Sequence, residues 1–262
     1  MPFHQPDRIR YYSFDIFSRE KITHAIFTRV GGVSTGQWSS LNVGLTVGDD
    51  PKNVAENRKL SFLAANRPIN TLSDSWLIHG TDVFIYDSPR PSNRRYPPKA
   101  DILLTDKPGV TLFMRFADCV PILFYDPDKG VIGLAHSGWL GTVKKVGAKA
   151  VEAMQKKYGC KPENIIGAIG PSIGPKRYEI SGETIENVRT AFGNEADEIL
   201  PRFNHAVHFD LWKANQMILE QAGVKKVELA GICTAKNNHD WFSHRGSNGK
   251  TGRFGALLGL NG

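Results

Sequence analysis

Hydrophobic positions along this chain follow two patterns. Short, nearly continuous apolar runs recur at 21–30 (KITHAIFTRV), 75–86 (SWLIHGTDVFIY), 100–106 (ADILLTD), 109–118 (GVTLFMRFAD), 120–126 (VPILFYD), 130–138 (GVIGLAHSG), 164–173 (NIIGAIGPSI) and 225–234 (KKVELAGICT). Runs of this length, rich in Val, Ile and Phe and bounded by Gly, Pro and Asp, predict strands. Four other stretches carry helix signals. At 49–66 Asp50 stands as N-cap and Pro51 at the first helical position, with Val54, Leu60 and Leu63 roughly in phase. The stretch 138–159 sets Leu140, Val143, Val146, Ala150 and Met154 on one stripe and closes at Gly159. A third helix opens at 181–192 on Ser181 as its cap, and a fourth runs from Asp210 to a closing Gly223.

Strands come early and in clusters, and helices follow without regular alternation. That order predicts an α+β fold, a single domain over 1–262 with mixed β-sheets and peripheral helices. The Pro- and Arg-rich segment 87–101 predicts a long surface loop of the kind that can serve as a lid. There is no internal repeat, and neither a G-x-G-x-x-G nor a G-x-x-x-x-G-K-[ST] motif, so dinucleotide folds and P-loops have no support.

Composition adds little until charge is considered. With 40% hydrophobic and 23% charged residues the chain has ordinary soluble composition. Its formal charge of +7 reads first as a solvated basic surface and second as a match for an anionic ligand. No run of five like charges occurs, which argues against a nucleic-acid partner. No apolar run approaches the ~20 residues that span a bilayer, and the first residues lack the apolar core of a signal peptide. Cys119, Cys160 and Cys233 are odd in number, widely spaced and without a C-x-x-C, so reduced thiols and a cytoplasmic location are expected.

The segment ADCVPILFYDPDKGVIGLAHSGW (117–139) carries the first candidate chemistry. DPDKG at 126–130 is hairpin chemistry, with Pro presetting φ and Gly taking the left-handed position. If Asp126 pairs with Lys129, Cys119 lies opposite His136, with Cβ atoms about 5 Å apart. A register shift of two keeps both on one face; a shift of one separates them. The helix expected after Gly138 would bring N–H groups and positive dipole to the pair. Against this stands plain packing of a strand cysteine beside a polar strand-end histidine. His79, in a third strand signal, offers a further ligand: two imidazoles and one thiolate with an open position is the catalytic arrangement of zinc. Asp118 and Asp82 neighbour these residues and can orient an imidazole or act as a base.

Seven blocks follow one another in the order of a known family: FTRVGGVSTGQWSSLNVG (27–44), IHGTDV (78–83), ADILLTD (100–106), ADCVPIL (117–123), AHSGWLGT (135–142), IGPSIGPKRYEI (169–180) and CTAKNNHDWFSHRGSNGKTGR (233–253). Across nearly its whole length the chain resembles the laccase-domain family. That family was once described as multicopper polyphenol oxidases and is now regarded as purine nucleoside phosphorylases with adenosine deaminase activity. The resemblance implies a zinc ion held by His79, Cys119 and His136; Asp118, next to Cys119, joins them as a candidate catalytic residue. It implies phosphorolysis of adenosine, inosine or methylthioadenosine to the free base and ribose 1-phosphate, so that a purine nucleoside and phosphate are the partners. Arg29 and Asn42 become candidate substrate contacts, as do Arg245 and Arg253 in the glycine-rich, basic stretch 243–255. The chain departs from the family pattern at Leu140, where Arg is usual, and at Ser243-His244-Arg245-Gly246, where S-Y-R-R is usual.

Alternatives stay open at this point. Cys119 and His136 alone could form a thiol hydrolase, and a role in correcting cell-wall precursors has been proposed among relatives. A copper polyphenol oxidase fits less well, since eight histidines include no H-x-H pair, although copper competes for most such ligand sets. A monomer or weak homo-oligomer is expected.

Overall fold

The structure, a computed structural model, describes residues 2–91 and 96–262. The centre of the predicted lid segment, 92–95, lies outside the described residues. The fold is α+β, built on two six-stranded mixed sheets. The first reads, in spatial order, β1 (Phe3–His4), β2 (Tyr11–Tyr12), β3 (Ile22–Phe27), β14 (Phe254–Leu260), β7 (Thr111–Phe116) and β4 (Leu72–Asp74). The second reads β13 (Lys226–Leu229), β10 (Ile166–Ile169), β8 (Val120–Asp126), β9 (Val131–Ser137), β6 (Ile102–Thr105) and β5 (Val83–Ile85). A separate short pair joins β11 (Arg202–Phe203) to β12 (Ala206–Val207).

The period-two alternation of each strand decides the layering. Leu103, Leu123, Tyr125, Ile132 and Leu134 of the second sheet pack against Ile26, Leu112, Met114, Ala256 and Leu258 of the first. The opposite side chains of the second sheet (Ile102, Leu104, Ile122, Phe124, Val131) bury against α3 (Val146–Tyr158), α4 (Glu183–Phe192) and α6 (Leu211–Gln221). The outer face of the first sheet, with Ala25, Phe27, Phe113 and Leu257, is covered by Leu41, Val43 and Phe62, the last on α1 (Pro51–Ala64). The central strands of both sheets are therefore buried on both faces, and this is why their sequences read as continuous apolar runs. Among the described residues no helix is long and apolar enough to cross a membrane.

Several predicted elements differ in detail. α1 is capped as expected, the Asp50 carboxylate accepting from the Lys52 N–H at 2.8 Å. Its buried stripe, however, is Val54, Asn57, Arg58, Ser61 and Phe62, while Leu63 is exposed. Asn57 explains the rotation: its amide donates to Ser40 O, Asn42 O and Ser34 Oγ, tying the helix to the loop it covers. The helix predicted over 138–159 breaks in two, α2 (Trp139–Val143) and α3, at Lys145 with φ +56°. The break turns Thr142 inward, where it meets Ser137 and Asn215. Ser181 is not a cap; Gly182 holds that position, and α4 is followed by the single turn α5 (Ala196–Ile199). β14 was not predicted. Its FGALLGL is poor in β-branched residues and abuts the glycine-rich stretch, yet it is fully buried at the centre of the first sheet.

Close backbone approach also disposes of the paired glycines in RVGGVSTG. A Cβ on Gly31, at φ +96°, would stand 2.0 Å from Arg8 O, and one on Gly32 would stand 2.2 Å from Ser40 O. The neighbour these glycines admit is the chain itself.

One buried imidazole ties stability to pH. The Phe14 N–H donates to His24 Nε2 at 2.8 Å, which requires that nitrogen unprotonated. Burial, and then the nearby His4, push the His24 pKa from the usual 6.5 to about 4. Between those values the unfolded chain binds more protons than the folded one, so stability is full above 6.5 and is lost as pH falls toward 4. The loss amounts to at most about 3 kcal/mol. Denaturation of wild type and His24→Gln across pH 4–7 checks this: the wild type should lose stability over that window, while the variant, whose amide oxygen can still accept from Phe14, should show a flatter profile. Equal slopes would remove His24 from the account.

Candidate metal centre and cleft

His79, Cys119 and His136 meet. Their ligand atoms all lie within 4.8 Å of one another, and among the described residues no other group of three His, Cys, Asp or Glu gathers in this way. Each arrives by a different route. His136 lies near the end of β9 and is buried. Cys119 immediately precedes β8, after a turn that puts Asp118 at φ +81°. The ladder pairs Pro121 with His136 and Asp126 with Val131, a register two residues from the one expected. Cys119 is thus diagonal to His136 instead of opposite, on the same face. The loop between the strands has four residues, 127–130, with Gly130 at φ +61° and the Asp126 carboxylate accepting from the N–H groups of Asp128 and Lys129.

His79 is not in a strand. The apolar signal at 75–86 yields β5 only from Val83, and His79 sits in a loop at φ +56°. The reason is Asp101. Its carboxylate accepts from the N–H groups of Ile78 (3.1 Å), His79 (3.2 Å) and Gly80 (2.8 Å), which curls the loop around one buried side chain. The same carboxylate stands 2.9 Å from His136 Nδ1, and Asp101 O accepts from the His136 N–H. Nδ1 is therefore engaged, leaving Nε2 as the nitrogen free to bind a ligand. Burial alone would raise the Asp101 pKa; the His136 ring and the Gly80 and Ile78 N–H groups outweigh it and hold the pKa below its ordinary value.

Burial likewise opposes charge on the Cys119–His136 pair, but their mutual attraction wins. The thiol is drawn down by His136 and His79, and the imidazole is drawn up by Cys119 and Asp101. A thiolate with two imidazoles is a soft, anionic donor set for a borderline metal ion. His79 is exposed and Cys119 half-buried, so the cluster opens to solvent on one side. Gly138 makes room for it: a Cβ there would come 3.1 Å from Cys119 Sγ and 3.5 Å from the His79 ring. The helix behind it, α2, has only five residues, too short for the dipole expected from a continuous helix over 138–159.

These three residues line a cleft of about 700 Å³. Asp118, Arg245 and Arg253 line it too. The Asp118 carboxylate accepts from Thr234 Oγ1 and from the Arg245 N–H, both at 2.6 Å, and so fixes the edge of the glycine-rich loop. The Arg245 guanidinium donates to Glu179 O and lies 5.1 Å from the centre of the Tyr178 ring. Arg29 and Asn42 are not among the lining residues. Arg29 donates to Ser39 O and Asn238 O and stacks on Phe242 at 4.5 Å. Asn42, fully buried, accepts from the Gly44 and Arg253 N–H groups and so shapes the backbone that carries Arg253. The Asp82 carbonyl accepts from the N–H groups of Asp101 and Ile102. Sequence reasoning missed Asp101, whose one signal was a carboxylate at the start of the otherwise apolar ADILLTD. It also missed Arg58, Arg90 and Arg115, which line the cleft from three separate segments.

Comparison with known proteins agrees with the geometry. A protein of Deinococcus radiodurans named purine nucleoside phosphorylase is 37% identical over 91% of this chain and 89% of its own length. The Escherichia coli purine nucleoside phosphorylase YfiH is 32% identical over 89% of this chain and 91% of its own. The crystal structure of YlmD from Geobacillus stearothermophilus superposes with a TM-score of 0.92 at 31% identity, covering 100% of this chain and 99% of that one. The family described as multi-copper polyphenol oxidoreductase laccase matches residues 23–261. By that match, by relatives spanning nine-tenths of its length and by a shared fold, the chain belongs to this laccase family.

Proposed function

We propose that this protein is a zinc-dependent purine nucleoside phosphorylase that also deaminates adenosine. The observation that supports it most directly is an open His79–Cys119–His136 donor set, braced by Asp101, on the wall of a cleft large enough for a nucleoside. The relatives' names supply the reaction class. The donors fit zinc: two imidazoles and one thiolate, a carboxylate behind one imidazole, and one open side. Copper of the multi-centre kind needs many more imidazoles than this cleft offers, where among the described residues only His79, His136 and His244 supply imidazoles and no methionine lines it. Zinc bound there supplies a Lewis acid and lowers the pKa of water.

In phosphorolysis an oxygen of phosphate forms a bond to C1′ of the ribose while the bond from C1′ to the purine nitrogen breaks. The electron pair leaves with the base, which takes up a proton. Arg245 and Arg253 would contact the substrate, with Arg245 held in place by Asp118 and Glu179. In deamination, water oxygen replaces ammonia at C6 of adenine, and Asp118 is the nearby carboxylate for proton transfer. A thiol hydrolase built on Cys119 and His136 would need the same two side chains but leave His79 idle.

Two measurements check this reading. Adenosine, inosine and methylthioadenosine should each release free base and ribose 1-phosphate only when phosphate is supplied. His79→Ala and Cys119→Ala should both lose at least about a hundredfold in kcat/KM together with their zinc; an active, metal-free His79→Ala would favour the dyad instead. Asp101→Asn should weaken zinc binding by about 10–100-fold, the range for loss of a carboxylate behind a ligand histidine. Competition against a chromogenic chelator reads this without any assay of turnover, and unchanged affinity would contradict the bracing role.

A further inference from the structure

The cleft holds a second cluster that the metal ligands do not explain. Arg58 on α1, Arg90, and Arg115 on β7 converge on the single carboxylate of Asp74 at the end of β4. Arg90 Nε lies 2.8 Å from it, Arg115 Nη1 3.1 Å and Arg58 Nη1 3.5 Å. All four residues line the same cleft as His79, Cys119 and His136. Two of the cations are also pinned to backbone. Arg58 Nε and Nη2 both donate to Val43 O, and Arg115 Nη2 donates to Ser75 O.

A purely structural ion pair needs one cation for one carboxylate. Here three guanidinium groups share one. Among the described residues of the lining, five arginines (Arg58, Arg90, Arg115, Arg245, Arg253) stand with two aspartates (Asp74, Asp118). Burial, and then repulsion from Arg115, push the Arg58 pKa down to about 10, and burial pushes that of Arg115 down as well. Holding like charges together out of water is costly unless an anion joins them. Planar, backbone-fixed guanidinium forks suit a tetrahedral oxyanion with several acceptor oxygens, which they can bind two oxygens at a time. The placement on the buried stripe of α1 points the same way. Arg58 occupies a position where an apolar residue would pack against the loop, and it is 8% exposed.

We infer that Arg58, Arg90 and Arg115, gathered on Asp74, form the phosphoryl-binding subsite of this cleft. The nature of the anion rests on the phosphorylase reading. Free orthophosphate is the expected source, and a phosphate ester carried on the substrate itself is the other.

The test uses the zinc-loaded full chain at fixed ionic strength. Inorganic phosphate and, separately, adenosine 5′-monophosphate are titrated calorimetrically into wild type and Arg115→Gln, and KM values for phosphate and adenosine are measured alongside. Orthophosphate should bind the wild type, and its affinity should fall by about tenfold or more in Arg115→Gln, as for loss of a charge-assisted contact. The KM for phosphate should rise in parallel, with zinc content and the KM for adenosine unmoved. If only the monophosphate shows the Arg115 dependence, the subsite stands and the phosphorylase reading falls. Equal phosphate affinity in wild type and variant, or no binding of either probe to the wild type, overturns the subsite. Phosphate-dependent turnover in that case would leave the phosphorylase reading intact. Should Arg115→Gln fail to fold, Arg90→Gln, whose side chain is 17% exposed, gives the same comparison.

Discussion

The carboxylate of Asp101 is the contact on which the site depends. Fully buried, it accepts from three consecutive N–H groups of the His79 loop while standing 2.9 Å from His136 Nδ1. One side chain therefore fixes the position of one ligand through its backbone and the orientation of another through its ring. Cys119 needs no such brace, since it directly precedes β8 and lies diagonal to His136 on the same face of the β8–β9 hairpin. The arrangement is a rigid two-strand base with a curled loop folded over it. Removing the carboxylate would release three N–H groups of the loop and the His136 ring together. The position of the loop and the orientation of that ring are thus coupled.

The layering of the molecule sets where such a site can open. Two sheets buried on both faces leave little room inside, so the cleft forms where β8, β9 and β7 end and the loops begin. The 243–253 loop, fixed by Asp118, and Arg58 of α1 both border it. The polar stripe of α1 is part of the same design. Asn57 and Arg58 give up apolar burial in order to pin the 29–47 loop and to present a cation to the cleft.

How much of this was legible in the sequence varies with the kind of signal. Strands buried on both faces announce themselves as apolar runs, and β6 to β10 were read close to their observed bounds. β14 was not, because glycines and leucines in FGALLGL carry little strand preference and only its central position makes it a strand. Cys119 and His136 could be brought together by hairpin logic, since an even register shift preserves the shared face. His79 could not. Its position depends on Asp101, 22 residues away, bonding to backbone, an interaction with no periodicity to read. The family resemblance supplied that ligand where spacing could not. Arg58, Arg90 and Arg115 left no sequence signal either, because each reads as an ordinary charge until tertiary structure places all three around Asp74.

X-ray absorption at the zinc edge of tag-free protein tests the central claim most directly. The account predicts one zinc per chain with two nitrogen neighbours at about 2.0–2.1 Å, one sulfur at about 2.3 Å and a light solvent atom completing the shell. A shell without sulfur, a second sulfur neighbour or a protein free of zinc would contradict it.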